Sequence, residues 1–518
     1  MTSSNQKIAR AAGTVMLAIL LGQLAGLVRS MIVASAFTAS DLDAFSAANR
    51  VSETLFNLIA AGALGSAFLP TFTSLLVTEK RAAAWKLASS LVNLVTLTLI
   101  LAAALVSIFA PQIVRYLLAP GLSTDPRQFQ LTIDLLRIQS ISAILFGVGG
   151  LVVSILNAHQ VFFIPQLTAA MYQLGLIFGA LVLSRWMGIY GLAWGVILGS
   201  TLFLLIQLPS LFKLHGTFSA SLGLSNPDVH KVIRLMGPRV FGAAIVQLNF
   251  WVNTNLASRM DAGSIISLTY GFMLMLMAQA AIAQSAAIAA MPTFSAQHAL
   301  GKQDEMRASL ASTLRGMFLL SVPASLGLML LARPIVSMLY QRGEFNALTA
   351  EMTAWALVWY AAGLVGHSIM EVLTRAFYAQ HDTKTPVLIG TVAMLLNVIF
   401  SLTFPRLFLT WGWMPHGGLA LANSLATALE ASALFVVMRQ RLGGIEGKRI
   451  AQGLASATIA GAGMSLALGL WIRLGGGMNR WLVGLGGVAV GGIAYGLVML
   501  ALRVPEIQSL VQLIRRKL

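Results

Sequence analysis

Fourteen apolar runs, each long enough to cross about 30 Å of hydrocarbon as a helix, follow one another along this 518-residue sequence. They cover approximately residues 12–36, 46–76, 84–110, 131–157, 162–184, 188–212, 232–258, 263–292, 308–332, 350–378, 385–405, 417–438, 451–473 and 481–502. Hydrocarbon offers no partner to a backbone N–H or C=O, so a segment that spans it must satisfy those groups internally, and runs of this length do so as helices. The expected fold class is an all-α integral membrane protein with 14 transmembrane helices. Composition agrees: 10% of the residues are charged, less than half of the roughly 25% usual in a soluble chain, and the deficit extends over the whole length. A soluble enzyme carrying one anchor is thereby excluded. The separators are short and carry turn chemistry, as in 119–126 (APGLSTDP), 216–227, 341–346 (QRGEFN) and 381–386 (HDTKTP). None is large enough for a folded extramembrane domain, and the first run is too long for a signal-peptide core, so it is expected to be retained.

The 34 Lys+Arg residues outnumber the 17 Asp+Glu residues and give a net charge of +17. In a soluble chain that excess would point to nucleic acid, but membrane proteins gather Lys and Arg in their cytoplasmic loops. Assigning alternate loops to opposite sides puts 19 basic residues, including every lysine, on one side and nine arginines on the other. Both termini are therefore expected to be cytoplasmic, which requires an even number of spans, and no nucleic-acid partner is implied. The chain has no cysteine, which excludes disulfides, thiolate nucleophiles and Cys-ligated metals.

An internal repeat organises the spans. Residues 67–74 (AFLPTFTS) recur as 289–296 (AAMPTFSA), 156–160 (LNAHQ) with Pro165 match 377–381 (FYAQH) with Pro386, and 191–195 (GLAWG) match 418–422 (GLALA). Six spans separate equivalent positions, so the halves share one topology and are related by an axis along the membrane normal. The expected organisation is a six-helix lobe over 1–215, a second over 216–442, and two further helices with a cytoplasmic tail over 443–518. Two parallel six-helix repeats form a transporter architecture, in which a cavity between the halves opens to each side in turn. The Gly- and Ala-rich last two spans either form a lipid-facing groove or pack peripherally.

Ionisable and amide side chains inside the spans are the candidate site, because the bilayer tolerates them chiefly where they face a cavity or a partner. On the second span Asp43, Arg50 and Asn57 recur every seven residues on one helix face, with Glu53 one turn beyond Arg50. The first span adds Gln23 and Arg29, and the seventh adds Arg239, Gln247, Asn249, Asn253 and Asn255. Asp134 with Arg137, and His367, Glu371 and Arg375, are spaced to pair along their own helices, a structural role, and Arg315 is placed to snorkel to the cytoplasmic surface. A cavity of arginines and amides suits an anionic substrate, since guanidinium binds phosphate in bidentate fashion. No nucleophile lies beside a base, no histidines are spaced for a metal, and no Gly-rich phosphate loop follows a strand, so neither an enzyme nor a bound cofactor is expected.

Five strings carry a family resemblance: 236–238 (MGP), 340–345 (YQRGEF), 377–386 (FYAQHDTKTP), 43–45 (DAF) and 62–68 (GALGSAF). Together they resemble the MurJ/MviN family of lipid II flippases, within the superfamily that also holds multidrug exporters and polysaccharide-lipid flippases. The resemblance implies transfer of undecaprenyl-diphosphate-linked peptidoglycan precursor across a bacterial inner membrane, with membrane lipid and the cell-wall synthesis machinery as partners; for an anionic headgroup moving outward from a cytoplasm that is negative inside, the membrane potential is the expected driving force. It further implies arginines at two positions six residues apart in the first span; Arg29 matches the second and Gln23 replaces the first. Phe56, Ala61 and the pair Phe272 and Met273 likewise stand where charged family residues are expected. Arg29 and Asp43 carry over, while Arg50 and Arg239 are placed to supply the missing positive charge. A flippase for another lipid-linked oligosaccharide and a non-transporting scaffold of the same fold are the alternative readings.

Overall fold

The computed structural model of the chain describes residues 21–58 and 65–506, without the side chains of Ser66, Pro238 and Arg239. Helix is the only regular structure among the described residues. Among the described residues ten helices are long and apolar enough to cross a membrane, and Ala347–Ala362 with Leu364–Ala379, bent by 45°, makes an eleventh as a pair. The remaining expected spans are the first, second and seventh. The first is described as α1 (Leu21–Ala36), and the second as α2 (Ala39–Phe56) and α3 (Gly65–Val77) on either side of residues outside the described set. The seventh is one continuous helix, Pro227–Ala257, whose first turns carry Asp228, Lys231 and Arg234 and lower its apolarity. The second span begins at Ala39, earlier than the expected residue 46, because the Thr38 hydroxyl caps it by accepting from the Asp41 N–H at 3.2 Å. Counting apolar residues cannot see a start made of polar caps.

The helices group into two compact units, one running to Ile265 and including Arg342–Phe345, the other formed by Ile266–Gln341 and the chain from Asn346 onward. In the first unit α4 (Arg81–Ile108), α5 (Pro126–Ala158), α6 (Phe163–Phe178) and α7 (Ile189–Leu205) follow α3. Helix α5 is central, touching α2, α3, α4 and α7, while α6 packs on α7. Helix α8 (Pro227–Ala257) belongs to this unit by packing and lies against α2, α3 and α4. In the second unit α9 (Ser264–Gln279) continues through a π-helical turn at Ala280–Gln284 into α10 (Ser285–Ala299). It is followed by α11 (Gln303–Leu330), α12 (Ala332–Leu339), α13 (Ala347–Ala362), α14 (Leu364–Ala379), α15 (Lys384–Thr410), α16 (His416–Arg441), α17 (Gly447–Leu474) and α18 (Arg480–Ala501). Here α14 touches α10, α11 and α16, and α15 packs on α16. That is the first unit's contact order displaced by six spans.

The repeat is visible in single residues. Phe72 and Phe294, equivalent in the AFLPTFTS and AAMPTFSA strings, are both 0% exposed, each at the centre of its unit's apolar core. Left-handed backbone recurs at the same register: Glu79 (φ 57°) corresponds to Gly301 (φ 68°), and Gln160 (φ 60°) to His381 (φ 59°). Each ends a helix, where a left-handed residue lets the last carbonyls find donors.

Lipid is as apolar as a leucine side chain, so packing of small residues brings these helices together. Gly175 and Gly179 face Gly195 and Gly199 so closely that a Cβ at any of them would overlap the opposite backbone. The outer surface is apolar, as in the exposed stripe Leu388, Val392, Leu395, Ile399 and Leu402 along α15. Where α15 ends, Trp355, Trp359, Phe408, Trp411 and Trp413 pack together with ring centroids 5.1 to 6.3 Å apart. Tryptophan favours the membrane–water interface. Arg315 does not snorkel as its position suggested: it is 9% exposed, its stem fills the space beside Gly453, and its guanidinium pairs with Glu506 at 2.8 Å. The partner lies 191 residues away in sequence, beyond the reach of any local pattern.

Candidate functional site

The polar residues expected on α2 divide into two environments. Asp43 is 2% exposed and accepts a 2.6 Å hydrogen bond from the Gly263 N–H, at the turn that follows α8. Seven residues on, Arg50 pairs with Glu53 at 2.9 Å and places its guanidinium 5.0 Å from the centre of the Phe250 ring on α8. Asn49 donates to the other Glu53 oxygen at 2.7 Å. Asn57, half-buried, caps the C-terminus of α2 through its backbone N–H. One helix face thus carries a buried carboxylate bonded to backbone at one end and a charged cluster at the other.

Helix α8 meets that cluster with amides and an indole. Trp251 Nε1 donates to the Thr54 hydroxyl at 2.8 Å, and Gln247 Oε1 lies 3.3 Å from the same hydroxyl. Thr54 donates to the Arg50 carbonyl at 2.7 Å, so the cluster is tied to α8 through a hydroxyl one turn from Arg50. Gln247 and Asn249 are 7% and 5% exposed, and Asn253 donates to Asn249 Oδ1 at 3.2 Å. Asn255 instead donates to the Leu117 carbonyl at 2.8 Å and anchors the far end of α8. The backbone of Arg239 lies in α8 and its side chain is outside the described set.

On α1, Arg29 is half-buried and Gln23 exposed. No carboxylate lies within ion-pair distance of Arg29 among the described residues, and the phenol of Tyr172 on α6 is in electrostatic range of both Arg29 and Glu53. Phe56 packs against Phe146 with centroids 5.1 Å apart, and Phe146 meets Tyr172 at 5.0 Å. The position where an arginine was expected is therefore part of an aromatic wall. Thr54, Trp251, Phe250 and Tyr172 are the site residues that sequence reasoning missed. Each resembles an ordinary apolar-span residue, and only the helix-to-helix register brings it to the charges.

The pairs assigned structural roles are formed with adjustments. Asp134 lies 4.0 Å from Arg137, accepts from Gln130 at 2.9 Å and from Tyr190 at 3.2 Å. Glu371 pairs with Arg375 at 3.0 Å, whereas His367 turns away to Asn423 on α16, 3.2 Å distant.

A bundle of apolar helices bearing arginine, carboxylate and amide groups along its spans defines a multi-pass membrane protein of the transporter type. The chain belongs to the lipid II flippase MurJ family, whose profile matches residues 32–485. It is 31% identical over 432 residues to the lipid II flippase MurJ of Burkholderia cenocepacia, covering 82% of each chain. It is 30% identical over 430 residues to the probable lipid II flippase MurJ of Vibrio cholerae, covering 80% of each. A solved lipid II flippase MurJ in an inward closed conformation has the same fold, with a TM-score of 0.80 at 23% identity over 95% of this chain and 99% of that one. An inward-facing multidrug resistance transporter of the MATE family, in the MOP superfamily, matches with a TM-score of 0.68 at 14% identity, over 83% of this chain and 98% of the other.

Proposed function

We propose that this chain moves lipid II, the undecaprenyl-diphosphate-linked peptidoglycan precursor, from the inner to the outer leaflet of a bacterial cytoplasmic membrane by alternating access. Membership of the MurJ family over residues 32–485 is the observation that carries the reading. Arg29, with no carboxylate partner among the described residues, and the Arg50 guanidinium on α2 supply cationic donors for a diphosphate. Asp43, Gln23, Asn57, Glu53, Gln247, Asn249 and Arg239 complete the proposed substrate-binding set. The polyprenyl tail stays in hydrocarbon while the headgroup crosses. We read the chain as six plus six plus two helices with both termini cytoplasmic, acting without a bound cofactor, beside the machinery that consumes the precursor.

The membrane potential favours this direction. Carrying one negative charge outward from a cytoplasm that is negative inside releases about 2.3 kcal/mol per 100 mV. The test is growth of cells depleted of their own lipid II flippase. Expression of this chain is expected to restore growth, and Arg29→Ala to abolish rescue while remaining in the membrane. A wild-type chain present in the membrane that fails to rescue would refute the lipid II reading, and full rescue by Arg29→Ala would remove Arg29 from the mechanism. The aromatic packing of Phe56 favours a second reading, a flippase for another lipid-linked oligosaccharide, which would export such a carrier from the same cells without restoring growth.

A further inference from the structure

Tyr172 belongs to an aromatic stack on the inner side of α6. Its ring meets Phe146 edge-on, 5.0 Å between centroids and 72° between planes, and Phe146 contacts Phe56 at 5.1 Å and Phe203 at 5.3 Å. Four helices, α2, α5, α6 and α7, contribute to this stack, which is centred on Phe146 and places the Tyr172 ring at its edge. The neighbouring residues of α6 lie against α1. A Cβ at Gly22 would stand 3.5 Å from Ala169 Cβ, and one at Gly26 3.5 Å from Gln173 Nε2. Arg29 is three residues beyond Gly26 and shares its face of α1. The α6 segment that carries Tyr172 therefore packs along the α1 face that carries Arg29, and the phenol lies within electrostatic range of both Arg29 and Glu53.

The stack itself does not need that hydroxyl, since Phe56, Phe146 and Phe203 have none. Within the described residues it has no hydrogen-bond partner, and Tyr172 is half-buried. A polar group held in an apolar wall without a partner is costly, and the cost is relieved if a ligand supplies the acceptor. A phosphate oxygen has lone pairs beyond those one guanidinium can occupy, and a neutral donor adds a bond without adding charge.

We propose that the Tyr172 hydroxyl donates a hydrogen bond to a diphosphate oxygen of the lipid-linked headgroup bound at Arg29, making Tyr172 a ligand-contacting residue that partly replaces the arginine missing at position 56. This rests on the flippase reading above. It predicts that the phenol recognises the diphosphate shared by all such carriers, and that the sugars are recognised elsewhere.

The experiment uses full-length protein in nanodiscs, with undecaprenyl diphosphate and lipid II as separate probes and with wild type, Tyr172→Phe and Arg29→Ala compared. Tyr172→Phe retains the ring stack and removes one oxygen. It is expected to raise Kd about tenfold, as loss of one charge-assisted hydrogen bond does, by the same factor for both probes and with Tm unchanged. An unchanged Kd in Tyr172→Phe while Arg29→Ala loses binding overturns the proposal and leaves the flippase reading standing. Weakening confined to lipid II also overturns it, by assigning the phenol to the sugars, and so does weakening accompanied by a fall in Tm. Failure of the wild type to bind either probe overturns the functional reading and the proposal with it.

Discussion

Arg50 illustrates how one residue draws on two ranges of sequence. Its ion pair with Glu53 is three residues away, while the Phe250 ring beneath its guanidinium comes from another helix. The spacing of Asp43, Arg50, Glu53 and Asn57 was legible as one face, but the separation of Asp43 from the cluster was not, because its partner is a backbone N–H at Gly263. Asp382 is a simpler case, lying in the turn between α14 and α15. The Thr385 hydroxyl at 2.6 Å and N–H at 3.0 Å, followed by Arg441 at 2.7 Å, hold its carboxyl well below the usual carboxylate range. Its folded-state value lies below the unfolded one of about 3.9. The stabilisation is accordingly complete above about pH 4 and is lost as the pH falls through the folded value. Asp382→Asn is expected to lower the thermal unfolding midpoint from neutral pH down to about pH 5, and the gap from wild type to narrow progressively as the pH falls below about 4 toward the folded value. A gap that stays constant into that acid range would show that the turn owes nothing to the ionised carboxylate.

At the level of elements, the two halves answer the same geometric demand with different residues. The helix end at 79 is left-handed with glutamate, and its counterpart at 301 is left-handed with glycine. A Cβ added at Gly301 meets nothing within 4 Å, so only the backbone conformation distinguishes the two. For a residue with a Cβ that conformation costs on the order of 1 kcal/mol. Glu79→Gly is expected to raise the stability of the purified protein by about that amount and Gly301→Glu to lower it equally, read from unfolding midpoints in detergent. If neither shifts, these helix ends fray before the protein unfolds. Gly343 in the YQRGEF string meets a stricter demand. Its φ is 57° and a Cβ would overlap the Ser35 carbonyl at the end of α1, where Glu344 N–H also donates to Ser35 at 3.1 Å. The string was recognisable in the sequence, whereas the reason for its glycine lies some three hundred residues away along the chain.

For the whole molecule, the driving force is the feature to test. In vesicles bearing this protein, setting the membrane potential to zero is expected to slow outward movement of lipid II, since each negative charge carried gains about 2.3 kcal/mol per 100 mV. A rate independent of the potential would require another source of energy. The apolar runs determined by themselves that the chain is a helical membrane protein, because only an internally hydrogen-bonded helix of such length survives in hydrocarbon. The spacing of the repeated strings likewise revealed two halves whose buried phenylalanines, Phe72 and Phe294, occupy equivalent cores. Tertiary structure alone decided which polar groups meet. Arg315 finds Glu506, His367 finds Asn423, and Thr54 finds Trp251 and Gln247. Hydropathy depends on each residue's own transfer from water and can be read locally, whereas a hydrogen bond depends on the register of two helices, which close packing at glycines such as Gly179 and Gly195 sets only once the bundle has assembled.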